Sequence, residues 1–460
     1  MACRPKKQIN KDGKCPMTYA SPRWTAEITD CSLPMTLDTY SNCSFGCVYC
    51  FSQFQRGLGN AKEKYLAKEV ASVNPQKIMD MFDLKKETQF SNYISKGKPI
   101  QWGGLSDEFD EFERKYGVTL ELLKYFKKKM YPISFSTKAT WFLDDERYRE
   151  VLDGAPWNAK FSIITANEMK ASIIEKRVDS PNKRLDAIQK WSDLCTGGAT
   201  LRLRPFIIGV SNDYEELIRK AYNKGATAVS TEFFCIEGRA SPETKKNYKV
   251  ISDLIGFDLF DYYRTHSDSQ GYYRLNRHIK EPIYRHMKEI CDELGMRLYI
   301  SDAHFKELSH NACCCGLPPD WDYSRGNFSY ALQLAKKNGV VHFSELAEQM
   351  ADNFDFEWRK AEGFNTNSVE RRYKYEGMTM KEYLRNTWNN PLAGQSPYKM
   401  FGKILQPDGI DENGDTIYRF HPEHTIENYG VSHEPNFIHI DGQLKMDLNS
   451  EYTENTKHTP

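Results

Sequence analysis

The chain has 460 residues, 40% of them hydrophobic and 13% aromatic, and its 63 Lys and Arg balance 63 Asp and Glu. That length exceeds one small core and asks for a large domain with additions, while zero net charge excludes a protein that coats long duplexes by charge alone, though not a local basic groove. Twelve cysteines are too few for a disulfide scaffold, and no run of about eighteen apolar residues or N-terminal apolar signal core is present, so a cytoplasmic protein with reduced thiols and no membrane partner is expected.

In chain order, residues 1–34 read as an N-terminal extension. From 35 to 316, short apolar strands alternate with amphipathic helices. Strands are expected at Met35–Tyr40, Pro99–Gly103, Ile133–Thr137, Lys160–Thr165, Thr200–Ile207, Ala226–Phe234 and Arg297–Ser301. Helices are expected at Leu120–Lys129, Asp145–Leu152, Asn182–Leu194, Tyr214–Asn223 and Glu281–Leu294, each with apolar residues three and four apart. This alternation predicts an α/β fold with a parallel sheet. A partial (β/α) barrel of about six parallel strands fits better than an open doubly wound sheet, and its active-site residues belong at the C-terminal strand ends.

Past Leu317-Pro318-Pro319 the rhythm stops. Residues 317–449 read as a smaller α+β appendage, with a helix at Phe343–Met350. A hairpin turn is expected at Asn413-Gly414, between Ile404-Leu405 and Ile417-Tyr418. The polar segment 450–460 reads as a disordered tail.

Directly after the first strand comes Asn42-Cys-Ser-Phe-Gly-Cys-Val-Tyr-Cys50-Phe51. Its three thiols, Cys43, Cys47 and Cys50, are the candidate metal ligands. Four thiolates saturate a 4Fe–4S cluster, and a ferredoxin-type run places a fourth cysteine close behind. Here the next cysteine is Cys195, so three ligands would leave one iron open. A structural zinc site needs four protein ligands, and none completes the set nearby.

Other candidates stand at strand ends. In Trp102-Gly103-Gly104-Leu105-Ser106-Asp107, paired glycines let a charged ligand approach the backbone, or simply make a turn. Lys138, closing Ser136-Thr137-Lys138, is either a point charge for a carboxylate or a solvated surface lysine. Ser162 can donate to the same carboxylate or to a ribose. Arg202 and Arg204 share a strand face; they either meet an anion inside or point outward into solvent.

The spacing CxxxCxxC, with Tyr49 before the last cysteine, resembles the signature of the radical SAM superfamily (SAM, S-adenosylmethionine). With Gly104-Leu-Ser-Asp107, Phe135-Ser-Thr-Lys138, Asp179-Ser-Pro-Asn-Lys-Arg-Leu-Asp-Ala-Ile188, Arg202-Leu-Arg-Pro-Phe-Ile-Ile-Gly209 and Asn212-Asp213, it is similar to the spore photoproduct lyase-like branch over about 35–234. The resemblance implies a 4Fe–4S cluster on Cys43, Cys47 and Cys50. It also implies SAM bound with its amino group at Gly103, Gly104 and Ser106, its methionine end near Lys138 and Ser162, and its adenine near Tyr49. The implied chemistry is reductive cleavage, fed by a flavodoxin- or ferredoxin-type donor, to a 5′-deoxyadenosyl radical that abstracts hydrogen. The implied substrate is a thymine-type nucleobase or nucleotide, in DNA or RNA, that is repaired, modified or rearranged, as by a lyase. Modification of a peptide side chain and a non-catalytic iron–sulfur binding or sensing role are the alternatives.

The chain departs from that pattern in two ways, by a late cysteine run and by a long aromatic C-terminal region. Cys313-Cys314-Cys315-Gly316, with Cys291 or Cys31, can hold an auxiliary iron–sulfur cluster, or pack as small hydrophobes. Cys235 either faces the substrate as a hydrogen donor or packs. Tyr262-Tyr263 and Tyr272-Tyr273, with Arg264, Arg274, Arg277 and His278, are either a base-stacking, phosphate-holding stretch or a packed loop.

Overall fold

Each run of β-branched and aromatic residues between turns forms a strand. β1 (Arg23–Trp24), β2 (Met35–Leu37), β3 (Ile100–Trp102), β4 (Ile133–Thr137), β5 (Trp157–Ser162), β6 (Ala199–Phe206), β7 (Ala226–Phe233) and β10 (Arg297–Ile300) make one eight-stranded sheet. Its order is β1-β2-β3-β4-β5-β6-β7-β10. The edge strand β1 is antiparallel to β2, and the others pair in parallel. The order follows the chain, whereas a doubly wound sheet reverses at a switch point. Between β7 and β10, β8 (Cys235–Glu237) and β9 (Tyr272–Arg274) form a separate antiparallel pair. The computed structural model describes residues 13–25, 29–52, 60–267, 272–350, 378–422, 437–440 and 443–446.

Boundaries moved where side chains captured the backbone. β2 ends at Leu37, short of the expected Tyr40, because Asp38 turns onto the loop after β3 and accepts from Gly104 and Leu105 N–H at 2.8 and 2.7 Å. β5 runs Trp157–Ser162, three residues earlier than expected. Thr165 and Ala166 instead bond the Asp213 carboxylate at 2.7 and 2.8 Å, which takes them out of the ladder. The last helix of this region is Arg277–Glu293 and begins before the expected Glu281, since Asn276 caps it at Ile279 N–H and Pro282 lies inside it.

The two faces of the sheet differ in chemistry. On one, Phe135, Phe161, Leu201, Leu203 and Val229 are fully buried, and Trp191 of the helix Pro181–Leu194 meets the Phe135 and Phe161 rings edge-on. Gly197 passes so close behind that a Cβ there would lie 2.4 Å from the Trp157 carbonyl. On the other face the alternate residues are Gln101, Ser134, Ser136, Lys160, Ser162, Arg202, Arg204, Ser230 and Glu232. A parallel sheet covered by hydrocarbon on both faces reads as nearly continuous apolar runs. This one is polar on its inner face because that face borders a cavity.

Toward the C-terminus, β11 (Val340–Val341), β12 (Leu405–Ile410) and β13 (Thr416–Phe420) form an antiparallel sheet in the order β11-β13-β12. The expected hairpin is present, and Gly414 takes the left-handed conformation its turn requires, with φ of 79°. Trp388 packs between Phe328, Phe343 and Tyr418, joining helices and sheet in an α+β unit. The segment 450–460 lies outside the described residues. Among the described residues no helix is long and apolar enough to cross a membrane.

Candidate functional site

A cavity of about 380 Å³ opens at the C-terminal ends of the parallel strands. All nine residues singled out from the sequence as metal or cofactor contacts line it: Cys43, Cys47, Cys50, Tyr49, Gly103, Gly104, Ser106, Lys138 and Ser162. They come from the cysteine loop, from the segments directly after β3 and β4 and from the end of β5, so it is the order of the sheet that brings them together.

The cysteine loop has one internal backbone bond, from Cys50 N–H to the Cys47 carbonyl at 3.2 Å, and is otherwise held largely from outside. Lys68 Nζ donates to the Cys43 and Phe45 carbonyls at 2.8 and 3.0 Å. Asn42 accepts from Cys43 N–H at 2.8 Å, and its amide donates to the Tyr65 and Glu69 carbonyls. Val48 N–H donates to Ile174 at 3.0 Å, and Ser44 N–H donates to Asp110. The three cysteines are half-buried; desolvation, with the carboxylates Asp110 and Asp107 behind it, raises Cys43 well above the ordinary thiol range. Desolvation pushes Cys47 up to about 12 against the opposing charge of Lys138.

Thiols in this state ionise when a metal supplies the positive charge. No three His, Cys, Asp or Glu side chains among the described residues converge on one ion-sized point. A cluster spreads its thiolates over different irons, so a loop of three separated, half-buried thiols suits it better than it suits a single ion.

The glycine segment has a clear local cause. Asp38 Oδ1 takes the N–H groups of Gly104, Leu105 and Ser106 at 2.8, 2.7 and 3.2 Å, and Arg23 pairs with Asp38 Oδ2 at 2.9 Å. Gly103 has φ of 89°, and a Cβ there would stand 2.7 Å from the Ser136 carbonyl; one at Gly104 would stand 2.6 Å from Thr36. The glycines therefore make a tight turn whose three N–H groups are already bonded. What it can offer a ligand is carbonyl oxygen, which suits an ammonium rather than an anion.

Beside it, Asp107 accepts from Thr137 Oγ1 at 2.8 Å and from Lys138 N–H at 2.7 Å, fixing the end of β4. The Lys138 ammonium lies 5.7 Å from the Tyr49 ring centroid and forms no ion pair among the described residues. Tyr49 is anchored in turn. Its hydroxyl donates to Glu175, whose other oxygen pairs with Arg184 at 2.6 Å, both side chains being 1% exposed. Arg184 also donates to the Ser162 carbonyl at 2.6 Å. Sequence reasoning gave Glu175 no role, because a glutamate in Ile174-Glu175-Lys176-Arg177 reads as a solvated helix end.

The remaining wall settles several alternatives of placement. Arg202 and Arg204 line the cavity rather than facing outward, and Arg204 pairs with Glu232. Cys235 also lines it, its thiol pushed up to about 12, chiefly by burial. Tyr262 and Tyr263 are buried, and Arg277 is buried and paired with Glu281 and Glu307 at 2.7 and 2.8 Å. For these three, packing is the explanation; of that stretch, Tyr272 reaches the cavity. Cys291 sits in the main apolar core, away from it, and Cys313 packs with Leu33, Ala312, Leu317 and Tyr323. Cys31, Cys314 and Cys315 do line the cavity.

No protein-family model matches the chain, and no curated protein matches it. Among solved structures, one titled as TYW1 with a lysine-pyruvate adduct bound aligns over 49% of this chain and 74% of that one, at 12% identity and a TM-score of 0.28. At that score the likeness carries no argument about chemistry. The functional reading rests on the residues themselves.

Proposed function

We propose that this chain is a radical SAM enzyme built on a partial β/α barrel. One observation carries the proposal: the cysteines of CxxxCxxC and the six candidate SAM contacts line a single cavity at the C-terminal strand ends. When bound, a 4Fe–4S cluster with one open iron supplies one-electron cleavage of the SAM sulfonium, yielding a carbon radical that abstracts hydrogen.

The residues of the chain divide the work around that chemistry. Cys43, Cys47 and Cys50 hold the cluster, and Lys68 and Asn42 fix their loop. The carbonyls of the Gly103–Gly104 turn accept the ligand's ammonium, since Asp38 has taken the amides. Lys138 pairs with the ligand's carboxylate, and Ser162 donates beside it. Tyr49, fixed by Glu175 and Arg184, presents its ring to the adenine. Strands that wall the cavity exclude water from a reactive radical.

The substrate we favour is a nucleobase or nucleotide, because Arg202 and Arg204 turn into the cavity, where a phosphate can meet them. The electron donor is of the flavodoxin or ferredoxin class, and the compartment is the reducing cytoplasm. Modification of a peptide side chain is the second reading, favoured by the additional thiols on the cavity wall.

Lys138→Ala tests the reading. A charge-assisted hydrogen bond contributes about 1.5–3 kcal/mol, so SAM affinity should fall roughly ten- to hundredfold at constant iron content. An unchanged dissociation constant by equilibrium dialysis would remove Lys138 from the carboxylate contact. In the wild type, SAM should also alter the electron paramagnetic resonance spectrum of the reduced cluster.

A further inference from the structure

One buried cation of the cavity wall has no part in holding the cluster or SAM. Lys160 is 2% exposed and lines the cavity, so only a molecule inside the cavity can reach it. Its ammonium donates to Gln101 and, at 3.0 Å, to Ser134 Oγ, which occupies two of its three N–H donors. Among the described residues no carboxylate lies within ion-pair distance of it. Arg202 stands on the neighbouring strand. Ser162 pairs with Arg202 in the ladder and Lys160 with Thr200, which sets Lys160 one inward-facing row, roughly 7 Å, further from the mouth. Arg202 is half-buried, lines the same cavity and forms no ion pair among the described residues.

The charge balance of the wall points the same way. Asp107 and Glu232 are the carboxylates that line the cavity among the described residues. Asp107 accepts from Thr137 Oγ1 and Lys138 N–H, and Glu232 pairs with Arg204. Lys160 and Arg202 are left beside one another. Burial lowers the Lys160 ammonium, with the Arg202 charge acting in the same direction, and burial and the Arg204 charge pull Arg202 down to about 10. Like charges held in such a wall are unfavourable until an anion joins them. Beneath them the segment Cys314–Gly316 forms a floor. Ser230 Oγ donates to the Cys314 carbonyl at 2.8 Å, and Thr200 Oγ1 and Asn158 Nδ2 donate to the Gly316 carbonyl at 3.1 and 3.4 Å. An anion reaching Lys160 comes from the strand ends and stops there.

We propose that Lys160 and Arg202 form the subsite for a terminal phosphate monoester of the substrate, bound end-first at the bottom of the cavity. Two cations without a counter-ion match a phosphomonoester, which carries about −1.5 to −2 charge at neutral pH. A diester within a nucleic-acid strand carries a single negative charge and has chain on both sides, and the floor leaves no path for the second side. The substrate class is then a small phosphate ester, such as a free nucleotide, rather than a base within a strand. This assignment rests on reading the cavity as the site of SAM and substrate, but the anion contact itself needs neither SAM nor the cluster.

The test is equilibrium dialysis of the full chain, without cluster or SAM, against radiolabelled inorganic phosphate and against dimethyl phosphate, a diester with a single negative charge. The wild type should bind phosphate saturably and dimethyl phosphate at least roughly tenfold more weakly. Phosphate affinity should fall roughly ten- to hundredfold in Lys160→Met and in Arg202→Gln, each of which loses one charge-assisted contact. Arg202→Gln strands no partner charge, so it remains readable should Lys160→Met fail to fold. In the reconstituted protein both variants should bind SAM as the wild type does. No saturable phosphate binding, equal affinity for dimethyl phosphate, unchanged phosphate affinity in either folded variant, or a matching loss of SAM affinity would overturn the subsite. These outcomes stay apart from those of the radical SAM reading. Phosphate bound without SAM cleavage would sink that reading and keep the subsite, and SAM cleavage without phosphate bound would do the reverse.

Discussion

Replacing Cys43, Cys47 and Cys50 together by Ala should eliminate SAM cleavage and remove one cluster's iron per chain. The effect is large because these thiols are the whole ligand set of their loop. Cys195, the next cysteine along the chain, is buried in the apolar core and donates to the Leu152 carbonyl, so it cannot substitute. The loop should keep its place without them, since Lys68, Asn42, Asp110 and Ile174 hold its backbone. A melting temperature near that of the unloaded wild type is therefore expected alongside the lost chemistry. Iron content by colorimetric assay and SAM turnover by chromatography check both halves. Wild-type turnover in the triple variant would remove the loop from the mechanism.

The second large effect is on stability. Arg184→Met should destabilise the protein by about 3–5 kcal/mol, the usual cost of stranding one charge of a buried pair. Glu175 would be left at 1% exposure with the Tyr49 hydroxyl as its remaining side-chain partner. Arg184→Met/Glu175→Gln should recover much of that loss, because no charge is then stranded. Denaturant melts of the unloaded proteins measure both. The single variant should also bind SAM more weakly than the double variant, since Glu175 would pull on the Tyr49 ring. Equal stability of wild type and Arg184→Met would show that the pair contributes nothing to folding.

Much of this was legible in the sequence, for physical reasons. Cys43, Cys47 and Cys50 are close in the chain, so their proximity in space needs no tertiary knowledge. The alternation of strands with amphipathic helices gave the parallel order of the sheet, and with it the end of the sheet where Lys138 and Ser162 would meet the cysteine loop. Asn413-Gly414 announced its hairpin because Gly414 takes a left-handed backbone that few other residues adopt. Strand limits were less legible: Asp38 and Asp213 each take backbone amides from a distant loop, and nothing local marks either aspartate for that task. The buried Glu175–Arg184 pair was missed for the same reason. Arg202 and Arg204 share a face by alternation alone, but which face looks inward depends on what packs behind Leu201 and Leu203. Cys31 reaches the same cavity as Cys314 and Cys315 only through the fold, because nearly the whole sheet intervenes in sequence.

The most direct measurement is 5′-deoxyadenosine release by the full chain, reconstituted anaerobically with iron and sulfide and reduced with dithionite in the presence of SAM. Radical SAM chemistry at Cys43, Cys47 and Cys50 predicts release by the wild type, dependent on reductant, and none from the triple alanine variant. A reconstituted wild type that carries a full 4Fe–4S cluster yet releases no 5′-deoxyadenosine above the variant would contradict it and leave an iron–sulfur protein that does not cleave SAM.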